Sequence, residues 1–147
     1  MIEYDPNYVP QNAPFLLGVK ILITNDADEV LVLWRSAKVS RPHGIDLPGG
    51  AVDAGEGPEQ AAIREVLEET GIAIGSPRIV GAEYAPRRSG DAVIVGYTYH
   101  INGEVPPVTI SWEHESYEWK PIRDIDVENL PSLHARLFRD WQKIRTQ

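Results

Sequence analysis

Unbroken or alternating apolar positions mark four stretches as strands: residues 15–24, 30–34, 78–84 and 93–101. The first two flank the polar turn Asn25-Asp26-Ala27-Asp28-Glu29 and predict a hairpin; the last two are joined through Ala85-Pro86-Arg87-Arg88-Ser89-Gly90-Asp91. Behind Pro131, the residues Leu130, Leu133, Leu137, Trp141 and Ile144 recur at helical spacing and predict a C-terminal amphipathic helix. Residues 1–14 carry three prolines among polar residues and read as an extended arm. Such an arm is compatible with a loose tail or with packing on a second copy in a homodimer.

A further helix is predicted between the two strand pairs, with Pro58 in its first turn and Gly71 at its stop. At about 100° per residue, Glu65, Glu68 and Glu69 fall within an arc of about 100°, so three carboxylates share one face. Ile63, Val66, Leu67 and Thr70 cluster near the opposite side as the anchoring stripe. Like charges at these spacings destabilise a helix unless a hard divalent cation sits between them, which makes a metal the economical explanation. A solvated acidic face is the bland alternative. Arg64 can reach Glu68 from the preceding turn, and upstream Gly49-Gly50 lets the backbone approach a bound metal or phosphate.

Residues 50–72 read GAVDAGEGPEQAAIREVLEETGI. Gly50, Glu56, Arg64, Glu65, Val66, Glu68, Glu69, Gly71 and Ile72 occupy every fixed position of the pattern G-x5-E-x7-R-E-U-x-E-E-x-G-U, where U is a bulky aliphatic. With average residue usage, chance agreement has a probability on the order of one in a billion per window. The chain resembles the Nudix hydrolase family. That resemblance implies an α/β/α sandwich with a mixed β-sheet and a catalytic helix after the Gly-Gly turn, in agreement with the α/β order of elements. It also implies a metal-dependent enzyme that cleaves the pyrophosphate of a nucleoside diphosphate linked to another group.

The resemblance implies roles for particular residues. Glu65, Glu68 and Glu69, with the Gly49 carbonyl, would bind Mg2+, with Mn2+ as the expected substitute; Arg64 would orient Glu65 or Glu56. A glutamate shortly before a strand tryptophan supplies a ligand or general base in many relatives. In Trp112-Glu113-His114-Glu115-Ser116-Tyr117-Glu118-Trp119, Glu115 is the first choice and Glu113 the second. Arg35 resembles a basic residue placed near substrate phosphates, and Arg87 and Arg88 offer further guanidinium groups suited to a pyrophosphate. Glu65 or Glu115 is the expected base. A non-catalytic Nudix-like nucleotide-binding module is the rival reading, although such modules commonly lose a box acid and none is lost here.

Length and composition narrow the partners. At 147 residues the chain fits one domain, 1–147. A formal net charge of −8 argues against holding long nucleic acid or an anionic membrane, and leaves a small nucleotide with its own magnesium as the expected partner. There is no cysteine for disulfide or thiolate chemistry, and no apolar run approaches a membrane span, so the cytoplasm is the expected compartment. His43, His100, His114 and His134 show no paired metal-ligand spacing and read as structural or solvated. Substrate choice among nucleoside triphosphates, ADP-ribose, nucleotide sugars and dinucleoside polyphosphates stays open.

Overall fold

The computed structural model describes residues 5–9 and 14–146. Of the predicted arm, residues 1–4 and 10–13 lie outside the described residues. The elements in order are β1 (Leu16–Asn25), β2 (Glu29–Arg35), β3 (Ile45–Asp46), α1 (Pro58–Thr70), β4 (Arg78–Ala85), β5 (Ala92–Ile101), β6 (His114–Pro121), two 3-10 turns and α2 (Ser132–Arg145). One mixed sheet runs β3-β2-β1-β5-β4, with β6 pairing on β2. β1 and β5 are parallel and the other pairs antiparallel.

Alternation along the strands builds two cores. Ile21, Ile23, Leu31 and Leu33 face α1 with Ala62 and Val66, while Leu22, Val30 and Val32 face α2 with Leu137, Phe138 and Trp141. Each side chain of this size is worth about 2 kcal/mol when fully buried, so both helices are held by the sheet rather than by their own propensity. The result is the expected sandwich of helix, mixed sheet and helix. The C-terminal helix falls where its spacing predicts.

Two local expectations change. The predicted hairpin is real only at its turn, with Thr24 opposite Val30. Beyond that point β1 and β2 diverge, and the segment around Gly49 takes the place beside β1: Ile21 N–H donates to the Pro48 carbonyl at 2.9 Å and Val19 N–H to the Gly50 carbonyl at 2.9 Å. β2 instead pairs with β6 along its length. On α1, Leu67 is 51% exposed, while Glu69 is buried beside Ala62 and Val66. The acidic arc therefore adjoins the apolar stripe, and α1 presses part of it against the sheet.

Candidate active site

α1 begins where Pro58 needs no amide partner and the Gly57 N–H donates to Gln60 Oε1 at 2.8 Å. It ends at Gly71, whose φ of 72° places it in the left-handed cap and whose N–H returns to the Leu67 carbonyl. Between these stops the helix carries Arg64, the centre of an acidic group. Arg64 Nη2 and Nε grip the two oxygens of Glu56 at 2.5 and 3.1 Å, and Nη1 reaches Glu65 at 2.9 Å and Glu68 at 3.2 Å. The fifth contact is the Ala51 carbonyl at 3.0 Å. The expected choice between Glu65 and Glu56 as partner is resolved in favour of both.

The glycine turn meets this helix edge on. Gly49 N–H donates to Glu69 Oε2 at 2.9 Å. A Cβ at Gly49, where φ is +140°, would lie 2.1 Å from the Val19 carbonyl oxygen, and one at Gly50 would lie 2.5 Å from Glu65 Oε1. Only glycine lets the inserted segment lie this close to β1 and to Glu65. Burial pushes Glu69 up to about 7, against the pull of Lys20 and the Gly49 amide. Burial also raises Glu65, with Arg64 opposing and Glu68 and Glu113 adding to the rise. Glu56 is lowered, chiefly by its bonds to Arg64.

Glu69 and Glu65 meet the turn at Gly49 and Gly50, and their carboxylates, like that of Glu68 and the Gly49 carbonyl, are oxygen donors of the kind a hard divalent cation takes. Among the described residues, no three acidic or histidine side chains stand close enough together to form a ready-made cation site. The absence of a Cβ at Gly50 lets the Glu65 carboxylate pack directly against the turn. Arg64 pairs with Glu65 and Glu68.

A cleft of about 540 Å3 opens beside the turn, bordered by Gly49, Gly50, Glu113, Lys20, Arg35, Arg41, Arg87 and His134 among others. Of the predicted outer residues, Glu113 and Arg87 reach it; Arg88 is exposed and is not on its lining. Glu115 lies inside β6 rather than in a loop, and its carboxylate bonds to His43 Nδ1 at 2.9 and 3.0 Å. Glu113, the second choice, borders the cleft, and its charge acts on Glu65. Arg35 borders the cleft, but its Nη1 is committed to Asp46 at 2.6 Å and its Nε to the Ser40 carbonyl at 2.8 Å.

Asp46 is a buried hub beside the glycine turn that no motif in the sequence announces. Its buried carboxylate also receives Lys20 at 2.7 Å and lies 3.2 Å from His134 Nε2 and 3.7 Å from His114 Nε2. Burial opposes its ionisation, but Lys20 and the two imidazoles outweigh that cost and hold it well below the usual carboxylate range. Lys20 Nζ continues to the carbonyls of Leu47 at 2.8 Å and Gly49 at 3.3 Å. The network thus pins the glycine turn from the α2 side, as Glu69 pins it from the α1 side. The available signal was Lys20, a lone charge in an otherwise apolar strand.

The NUDIX domain family model matches residues 14–141. The 8-oxo-dGTP diphosphatase of Escherichia coli K12 is 39% identical over 51 residues, which cover 35% of this chain and 40% of that enzyme. The RNA pyrophosphohydrolase of Brucella ovis is 26% identical over 145 residues, covering 79% of each. Among solved structures, a MutT protein from Methanosarcina mazei Go1 superposes with a TM-score of 0.79 at 27% identity, covering 94% of this chain and all of that one. With the box acids, the glycine turn and the sandwich in place, the chain belongs to the Nudix family.

Proposed function

We propose that this chain is a magnesium-dependent pyrophosphohydrolase acting on a small nucleoside diphosphate derivative. The observation that carries the reading is the contact of Glu69 with Gly49 and of Glu65 with Gly50, the two glycines themselves bordering a cleft of about 540 Å3, a volume suited to one small ligand. The named activities of the E. coli and Brucella relatives support it. Glu65, Glu68, Glu69 and the Gly49 carbonyl would hold Mg2+, or Mn2+ in its place. The cation supplies charge neutralisation on the pyrophosphate oxygens.

The residues do the rest. Glu65, raised by burial and held at Oε1 by Arg64, is the carboxylate that accepts the proton of the attacking water. The water oxygen bonds to phosphorus, the bridging P–O bond breaks, and the departing phosphate keeps its electron pair. Arg64 and Glu56 fix the orientation of Glu65, Glu113 stands as the outer acid, and Arg87 faces the substrate's phosphates. No helix of the described residues is long and apolar enough to cross a membrane.

The test is release of phosphate or nucleotide with magnesium, then manganese, across nucleoside triphosphates, ADP-ribose, nucleotide sugars and dinucleoside polyphosphates. Glu69→Gln should lower turnover by about three orders of magnitude or more while the fold is kept. Near-normal turnover in that variant would sink the metal-site assignment. Nucleotide binding without turnover in the wild type would favour a binding module instead.

A further inference from the structure

The guanidinium that the sequence offers for phosphate binding already has a partner, because Arg35 is bonded to Asp46 and Ser40. Arg41 borders the same cleft and takes part in none of the ion pairs of the described residues. Its charge reaches the α2 side: burial lowers the His134 pKa first, and Arg41 adds to that lowering. Arg87, likewise unpaired among the described residues, borders the cleft from the connection between β4 and β5. The two arginines thus come from connections on either side of β1 in the strand order. In a chain with 22 acidic side chains against 14 Lys and Arg, these two cations have no carboxylate partner among the described residues and border the same space.

Arg41 sits on a held rim. Residues 36–44 join β2 to β3, and the Arg35 backbone closes the loop through His43 N–H at 2.8 Å and the Gly44 carbonyl at 2.9 Å. The Arg35 side chain holds the Ser40 carbonyl, and His43 bonds to Glu115 on β6. Inside the loop, Arg41 and His43 have φ of 54° and 60°, a region that residues other than glycine enter rarely. Such backbone persists only where its surroundings fix it, and it clusters at ligand sites.

We propose that Arg41 binds a phosphate beyond the pyrophosphate under attack, with His43 and Glu115 as the pair that positions its loop. The substrate class is then a chain of three or more phosphates, as in a nucleoside triphosphate or dinucleoside polyphosphate. A nucleoside diphosphate capped by a neutral sugar would leave Arg41 without a counter-charge. This rests on the pyrophosphohydrolase reading and narrows it.

Calorimetric titration with magnesium and methylene-bridged analogues of ATP and ADP, which cannot be hydrolysed at the bridge, tests it. Wild type should bind the ATP analogue more tightly than the ADP analogue. Arg41→Ala should weaken the ATP analogue about tenfold or more and the ADP analogue less than about threefold, and Arg41→Lys should restore most of the loss. Glu115→Ala should weaken the ATP analogue selectively and by less; equal loss for both analogues would overturn the positioning role. If wild type binds both analogues and Arg41→Ala binds the ATP analogue as well as wild type does, Arg41 is not the site. If wild type binds neither analogue while a sugar-capped nucleoside diphosphate is turned over, the polyphosphate assignment falls; if no substrate class is turned over either, the pyrophosphohydrolase reading itself fails.

Discussion

Gly50→Ala puts a methyl carbon 2.5 Å from Glu65 Oε1 and 2.7 Å from its Cδ. The obstacle is the end of a flexible side chain, so Glu65 can swing aside at the cost of its 2.9 Å bond to Arg64. For a partly exposed pair that loss is about 1 kcal/mol, or about 3 °C in Tm. Turnover should suffer far more, because displacing a reacting group by about 1 Å costs about a hundredfold or more. Gly49→Ala is the control in the opposite sense. Its Cβ would meet the Val19 carbonyl at 2.1 Å and Lys20 Cα at 2.9 Å, both backbone of a central strand, at a φ that only glycine tolerates. Overlap and backbone strain together come to about 4 kcal/mol or more, a fall of about 8–16 °C. Scanning calorimetry and steady-state turnover on the two variants decide the matter. If Gly50→Ala melts as low as Gly49→Ala, or turns over at the wild-type rate, Glu65 is not used where the structure puts it.

Two further perturbations address the polar groups on either side of the turn. Asp46→Asn leaves the Lys20 ammonium and Arg35 guanidinium beside a neutral amide, and should cost about 3 kcal/mol, or about 6–12 °C in Tm; a loss under about 1 kcal/mol would show that Asp46 does not hold them. Glu69 has a folded pKa of about 7, above its ordinary value of 4.5. Its neutral form therefore favours folding, with the benefit present in full below the unfolded pKa and lost as pH rises through about 7. In chelator, wild-type Tm should fall between about pH 5 and pH 8 relative to Glu69→Gln, and magnesium should reverse the fall at the upper end. Parallel pH profiles for the two proteins would refute this.

The fold was legible wherever a period of apolar residues meets a punctuating residue. Pro58 and Gly71 bracket α1, and Leu137 and Trp141 face the sheet as their spacing requires. Pairing was less legible, since period two says which face a residue is on but not which strand lies beside it. The short turn between β1 and β2 pointed to a hairpin, yet the backbone at Pro48 and Gly50 competes for the same edge of β1 and wins there. Leu67 was misplaced for a related reason. A helical projection ranks residues by angle, but the depth of α1 against the sheet is set by Gly49 and Glu69 meeting at 2.9 Å, and that contact turns Leu67 outward.

The site shows the same division. The box residues were legible because one helix and one turn bring them together, and local spacing fixes their angles. Asp46 was not, because its four partners come from β1, β2, β6 and α2, and no spacing along the chain announces a carboxylate that five elements share. That hidden residue decides how the arginines divide. Arg35 and Arg41 are the same letter in nearby positions and border the same cleft; the β3 pairing that sets Asp46 opposite Leu33 gives Arg35 a buried counterion, and Arg41 has none among the described residues. A guanidinium already neutralised by a buried carboxylate offers less net charge to a phosphate than one without a partner. Removing Asp46 should therefore free Arg35 as well as loosen the turn, so its effect on nucleotide affinity and its effect on stability need not share a sign.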